Sequence, residues 1–119
     1  MTVVGSNVGI DLGMTNSVVA IMRGRYPEAL YSAEARPQIR SAVSLRSRKG
    51  RGGRVRRQVL VGDAAVRNWE FAPEDTIVSI RRLMGRSVED PEVQRVKDWF
   101  YYKVVEPSDG TKDSVRVVM

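Results

Sequence analysis

The sequence predicts a mixed α/β fold, in which a β-meander is followed by a small α/β subdomain. Apolar residues alternate at Val8, Ile10 and Leu12, and a run rich in β-branched and apolar residues follows at Ser17 to Met22, as is typical of strands. Helix-start signals appear only after Gly62, and a turn motif separates two apolar runs near the end of the chain. The 119 residues are enough for one modest core.

The meander is predicted from three runs that are rich in β-branched and apolar residues. These runs are Asn7 to Leu12, Ser17 to Met22 and Glu28 to Ser32. Gly13 to Asn16 joins the first two runs. We assign it to a tight turn because Gly and Asn both tolerate positive φ.

The second part of the chain begins with two short strands and a helix. The strands are predicted at Ser41 to Leu45 and Gln58 to Val61, on either side of a basic, glycine-rich loop. The helix is predicted over residues 62–68. Asp63 lies near its N-terminal end, where the helix dipole favours a carboxylate.

A longer helix is predicted from the start signal at Pro73 to Thr76. Gly85 ends it, in the position that a C′ glycine usually takes. One face of this predicted helix is apolar and consists of Ile77, Ile80, Leu83 and Met84.

A third helix and a hairpin complete the prediction. Asp90-Pro91-Glu92 begins the helix, with Pro in its first turn and acidic residues beside it. Tyr102 to Val105 and Ser114 to Val118 pair around the turn Ser108-Asp109-Gly110. The chain reaches Met119 inside that last strand, so we expect the natural protein to continue. The helix has an apolar stripe, interpreted as core, of Val93, Val96, Trp99 and Phe100.

The composition limits the chemistry that the chain can perform. It has no Cys and no His, which excludes disulfides, thiol nucleophiles, imidazole bases and most zinc sites. Carboxylates, hydroxyls, amines, backbone amides and a hard cation such as Mg²⁺ remain, and phosphate chemistry suits them. Met1 to Asn7 has no basic flank, long apolar stretch or cleavage site, so we expect a cytoplasmic protein.

Most of the positive charge lies in one segment. Arg46 to Arg57 holds seven basic residues in twelve positions, whereas the whole chain has a formal charge of +6. Such a run can bind nucleic acid or an anionic membrane. It contains no aromatic residue for base stacking, however, and three glycines interrupt it. We interpret it as a solvated, flexible hairpin tip and do not expect a membrane or nucleic acid as partner.

The stretch from Val8 to Ser17 is the most informative about function. A hairpin turn that exposes successive amides forms a concave anion site, to which Gly13 gives close access and the hydroxyls of Thr15 and Ser17 add donors. Asp11 can hold a hydrated Mg²⁺ beside bound phosphates. The same residue types also form ordinary hairpin turns, so both readings stay open. The chain has no P-loop or Rossmann motif.

Val8 to Met22 (VGIDLGMTNSVVAIM) closely resembles the first phosphate hairpin of the DnaK-type, seventy-kilodalton heat-shock chaperones. Four further blocks keep the order and spacing of that family. They are LVGDAA at Leu60 to Ala65, TIVSIRRLMGR at Thr76 to Arg86, DPEVQR at Asp90 to Arg95, and Tyr102 to Val105.

The resemblance implies the N-terminal portion of an actin-like ATPase fold, with ATP and Mg²⁺ in a cleft between two lobes. Residues 1–39 would begin the core subdomain of the first lobe and carry the phosphate hairpin. Residues 40–119 would form its small upper subdomain. The second lobe and the peptide-binding domain lie downstream in the family. The family's partners are unfolded client peptides, J-domain co-chaperones and nucleotide exchange factors.

The resemblance also assigns the site residues. Asp11 is the carboxylate near the metal, which it holds through water. The turn beneath the β- and γ-phosphates consists of Gly13, Met14, Thr15 and Asn16.

Three departures from the family pattern concern the site. Met14 replaces a Thr whose hydroxyl points at the γ-phosphate. Val66 replaces the Lys that assists hydrolysis, and Arg67 points about 100° away around a helix. Pro37-Gln38-Ile39-Arg40 replaces an Arg-Thr-Thr-Pro stretch that packs near the phosphate loop.

From these departures we expect a chaperone-type nucleotide-binding segment with impaired hydrolysis and no confirmed catalytic residue. Two alternatives are a remnant or interaction module that binds no nucleotide, and a basic RNA-binding module.

Overall fold

A first antiparallel sheet forms the start of the molecule. The computed structural model describes residues 7–119, so Met1 to Ser6, part of the segment on which the expectation of no leader rests, lie outside the described residues. The four strands of this sheet are β1 (Val8–Leu12), β2 (Asn16–Arg23), β3 (Tyr26–Ala29) and β4 (Ile39–Arg40). Strand β2 is central and pairs with β1 and with β3, and the short β4 pairs with the beginning of β2.

The meander prediction is confirmed, although its third strand lies earlier than predicted. Strand β3 ends at Ala29, not at Ser32. Ser32 begins a tight turn instead, because its amide donates to the carbonyl of Arg36 over 2.8 Å and its hydroxyl accepts from the amide of Glu34. Ala35 takes a left-handed conformation within that turn, with φ of 56°.

A second sheet of three strands follows, with β5 (Ala42–Lys49) between β6 (Val55–Val61) and β7 (Thr76–Val78). Both pairings are antiparallel. The predicted helix over residues 62–68 is present as α1 (Asp63–Asn68), and its inner face packs on this sheet. The buried residues of this small core are Ala42, Leu60 and Ala65.

The flexible hairpin tip predicted for Arg46 to Arg57 is shorter in the structure, because the strands extend into this segment. Strands β5 and β6 continue to Lys49 and back from Val55, in unbroken register from the Val43–Val61 pair to the Lys49–Val55 pair. Only Gly50 to Arg54 forms the tip, which Gly52 and Gly53 turn with φ of 79° and 75°. Most of the basic side chains therefore stand on a paired ribbon rather than on a flexible loop.

The helix predicted from Pro73 to Gly85 is also wrong. Thr76–Val78 is strand β7, and the buried Thr76 hydroxyl lies 2.7 Å from the hydroxyl of Ser44 on β5. Ser79 adopts a left-handed conformation with φ of 56°, which ends the strand, and Ile80–Arg82 is a single 3₁₀ turn. β-branched residues and a buried hydroxyl partner favour the sheet over the helix here.

The last predicted elements are present. Helix α2 (Pro91–Val96) begins at Asp90, whose carboxylate accepts a 2.8 Å hydrogen bond from the amide of Glu92. This bond is the main reason that the pKa of Asp90 is lowered. Strands β8 (Lys103–Val105) and β9 (Arg116–Val118) form the predicted hairpin. None of the helices among residues 7–119 has the length and apolar character needed to cross a bilayer.

The larger core lies around α2. The predicted stripe is only partly correct: Val93 and Val96 are fully buried, but Trp99 is 60% exposed because α2 ends at Val96 and a 3₁₀ turn follows. The Tyr102 hydroxyl donates to the carbonyl of Val78 over 2.7 Å and so ties this core to β7. The buried members of the cluster are Leu83, Val93, Val96 and Tyr102.

Burial of Tyr102 predicts a loss of stability at alkaline pH. Burial raises the pKa of its phenol well above the ordinary value of 10, so the folded state keeps the proton that the unfolded state releases. The stabilisation is complete below about pH 10 and declines as the pH rises further. Urea unfolding between neutral and alkaline pH measures this decline.

Tyr102→Phe should lower the free energy of unfolding by about 1 kcal/mol at neutral pH, because the Val78 carbonyl loses its donor. It should also remove part of the alkaline decline. Tyr101→Phe, at a phenol that is 66% exposed, is the control and should change neither quantity. An unchanged alkaline decline in Tyr102→Phe would contradict the assignment.

Candidate functional site

In the turn between β1 and β2, the backbone of Gly13 lies very close to the backbone of Asn16. A side chain on Gly13 would collide with the carbonyl oxygen of Asn16, so only glycine fits there. The positive φ expected of this turn is not observed, because in the described part of the chain the residues with positive φ lie outside it. Met14 is half-buried, whereas Thr15 and Asn16 are exposed.

Strand β4 fixes the turn from the side. Asn16 pairs with Arg40 and Ser17 with Ile39, and the Ser41 amide donates to the carbonyl of Thr15 over 2.8 Å. Residues 37–40 therefore lie beside this turn. These backbone contacts join the turn to β4 and to Ser41.

Ser17 does not serve as the free donor that the sequence suggested. Its side chain is buried, and its hydroxyl lies 2.7 Å from that of Ser41. The hydroxyl of Thr15 is left as the exposed one in the turn. Ser17 thus joins the turn to the start of β5 and does not face a ligand.

Asp11 stands on β1, two residues before Gly13, and is exposed. It pairs with Val18 of β2 in the sheet register. No group of three potential metal-ligating side chains occurs within residues 7–119. A single exposed carboxylate fits a magnesium ion that keeps most of its water and binds substrate phosphates.

Three arginines, Arg36, Arg40 and Arg81, lie around the turn, and no sequence pattern indicates a role for their side chains. The Arg81 guanidinium donates to the carbonyl of Leu12 over 3.4 Å, although 69 residues separate them. Arg36 and Arg40 line a small groove beside Asn16, in which Arg36 pairs with Asp63 at 3.3 Å. Among residues 7–119, Arg40 and Arg81 have no ion-pair partner within 4 Å, so their positive charge beside the turn favours an anion.

Val66 lies away from this groove. It is half-buried on α1 and lines a separate groove of about 460 Å³ with Trp69, Pro73 and Tyr101. The neighbouring Arg67 is exposed, and its guanidinium is paired with Glu34 at 3.2 Å. The structure therefore brings together Asp11 and the turn, but not Val66.

A family model described as Hsp70 protein matches residues 7–118. The chain belongs to the Hsp70 family. The match spans all three sheets and includes the turn at Gly13. The mixed α/β arrangement, mostly antiparallel strands with few helices, is that of the N-terminal portion of an actin-like ATPase fold. Hsp70 proteins are chaperones that bind ATP with Mg²⁺ and work with client peptides and co-chaperones.

Proposed function

We propose that this chain forms the start of the nucleotide-binding lobe of a DnaK-type chaperone. In this proposal the backbone amides of the turn bind the β- and γ-phosphates of ATP, and Asp11 holds the magnesium ion through water. The observation that carries the proposal is the close packing at Gly13, where a Cβ would collide with the Asn16 carbonyl oxygen. Such a close-packed turn presents backbone amides without side chains in the way.

The charges around the turn support the same assignment. Arg81 and Arg40 lie beside the turn and its carboxylate Asp11, whereas the charge of Arg36 is paired with Asp63. Phosphates bound there would meet positive charge from two directions. The hydrogen bonds through Ser41 hold the turn in place, so the loss of chain entropy on binding is small.

We further propose that hydrolysis is impaired. Bound Mg·ATP supplies the phosphoryl group that is transferred to water, and the chain must neutralise charge as this occurs. Val66 carries no charge, and Met14 offers no hydroxyl to the γ-phosphate. The residues that remain can bind and orient the nucleotide, but they lack these two polar groups.

Titration of the isotope-labelled 119-residue chain with Mg·ATP tests the binding proposal by NMR. We expect affinity that is millimolar or weaker, because one turn covers little of the nucleotide surface. Amide shifts should be largest at Gly13 to Asn16. Gly13→Ala should abolish these shifts, since its new Cβ displaces the Asn16 carbonyl.

Gly9→Ala is the matched control, because Gly9 lies on β1 with no atom near its missing Cβ. It should leave the titration unchanged. Shifts that cluster away from the turn, or no shifts up to about 10 mM nucleotide, would show that the chain is a module that binds no nucleotide. A micromolar affinity would contradict the expected weakness.

A further inference from the structure

We propose that the β5–β6 hairpin binds single-stranded nucleic acid through its arginines and the nearby Phe71. Residues 46–57 are called the arginine ribbon below. The ribbon contains seven basic residues and no acidic ones, while the rest of the chain has 13 basic and 14 acidic residues. The whole excess positive charge of the protein is therefore on this one projection.

The strand register places three of the seven basic side chains, Arg46, Arg48 and Arg56, on one face of the ribbon, and Lys49 and Arg57 on the other. Arg48 stands directly opposite Arg56, and Arg46 opposite Gln58, so these four side chains share a face. Like charges directly opposite each other destabilise a strand pair. Among residues 7–119, none of the ion pairs within 4 Å involves the ribbon. A bound polyanion would relieve this repulsion.

An aromatic side chain lies beside the same face. Phe71 is 81% exposed and lines an open groove of about 520 Å³ together with Arg46 and Arg48. The turn after α1 puts it there, since the Phe71 amide donates to the Asn68 carbonyl over 3.0 Å. Residues 46–57 contain no aromatic residue, but the fold places Phe71 beside them.

The combination favours a single strand over other polyanions. Single-stranded nucleic acid is bound by basic surfaces that follow its backbone and by aromatic side chains that stack on its bases. Glu74 and Asp75 also line the groove, so we place the phosphates along Arg48 and Arg56 and a base against Phe71. The tip, Gly50 to Arg54, has no bulky apolar residue to insert into a bilayer.

Fluorescence anisotropy with a labelled, unstructured 20-nucleotide RNA tests the proposal. We expect a dissociation constant of about 10–100 µM for the 119-residue chain at low salt. Arg48→Ser/Arg56→Ser should weaken binding about tenfold and reduce the slope of log K against log salt by about 1.4. Phe71→Ala should weaken it by about fivefold or more and leave that slope unchanged.

Lys49→Ser/Arg57→Ser is the matched control. It removes the same charge from the same hairpin, but these side chains share the opposite face with Val55 and Val59. It should weaken binding less than the Arg48/Arg56 variant does. Gly13→Ala should not affect RNA binding, which separates this proposal from the nucleotide site.

Four results would overturn the proposal: no binding up to about 100 µM at low salt; equal effects of the two double variants; no effect of Phe71→Ala; and tighter binding to duplex RNA or to phosphatidylserine vesicles than to the single strand. Unchanged thermal unfolding of each variant shows that a loss of binding is not a loss of folding.

Discussion

Val66→Lys should raise the rate of ATP hydrolysis about 10²- to 10³-fold in a chimera where residues 7–118 replace the matching segment of a complete Hsp70 protein. The chimera is needed because the rest of the family's cleft has to be present for hydrolysis. A lysine ammonium can neutralise the charge that develops on the transferred phosphoryl group, whereas valine cannot. Single-turnover hydrolysis measures the difference.

The local structure can accept this lysine. Val66 is half-buried beside an open groove, so the stem of a lysine can follow the groove wall while its ammonium reaches solvent or the cleft. Its neighbour Ala65 is fully buried and holds the helix on the sheet. The substitution therefore adds a positive charge on α1 and replaces the contacts that Val66 makes with the small core by those of a lysine stem.

Arg67→Lys is the control for this experiment. Arg67 is exposed and paired with Glu34, so its replacement keeps the charge and should leave the rate unchanged. Met14→Thr combined with Val66→Lys should give a further increase, because it restores a hydroxyl to the turn. Equal rates with and without both changes would show that other departures limit hydrolysis.

The sequence predicts the first two strands because apolar residues alternate in one and β-branched and apolar residues fill the other. Val8 to Leu12 and Asn16 to Arg23 are regular runs ended by turn residues, and the structure has strands there. The sequence predicts a helix from Pro73 to Gly85, but a tertiary contact favours a strand at Thr76–Val78. The apolar spacing of this region also suits a helix, but the hydroxyl of Thr76 finds a buried partner on β5. A single sequence does not reveal that partner.

The sequence indicates only some of the residues around the turn, because several of the contacts there join residues that are far apart in the chain. Gly13 stands out in the sequence, but the contact that demands glycine there, with the Asn16 carbonyl, depends on the detailed turn geometry. The Ser17–Ser41 contact and the Arg81–Leu12 hydrogen bond join residues that are 24 and 69 positions apart. No periodic pattern connects such pairs. Their positions follow from the paths of β4 and of the turn after β7.

Leu83→Ala should lower the free energy of unfolding by about 2–5 kcal/mol. Leu83 is only 1% exposed and packs in the cluster with Val93, Val96 and Tyr102, so truncation leaves a cavity in the larger core. The free energy of unfolding of a small domain is about 5–15 kcal/mol, so the substitution would remove much of it. Urea unfolding followed by circular dichroism measures the change.

The neighbouring Met84 provides the control. Its side chain is 56% exposed, so Met84→Ala should alter the free energy of unfolding by no more than about 0.5 kcal/mol. The helix predicted from the sequence would place both residues on one buried face, and both substitutions would then be costly. The structure separates them, because Leu83 follows a single 3₁₀ turn and points into the core. Similar losses for the two variants would favour the helix and contradict the 3₁₀ turn.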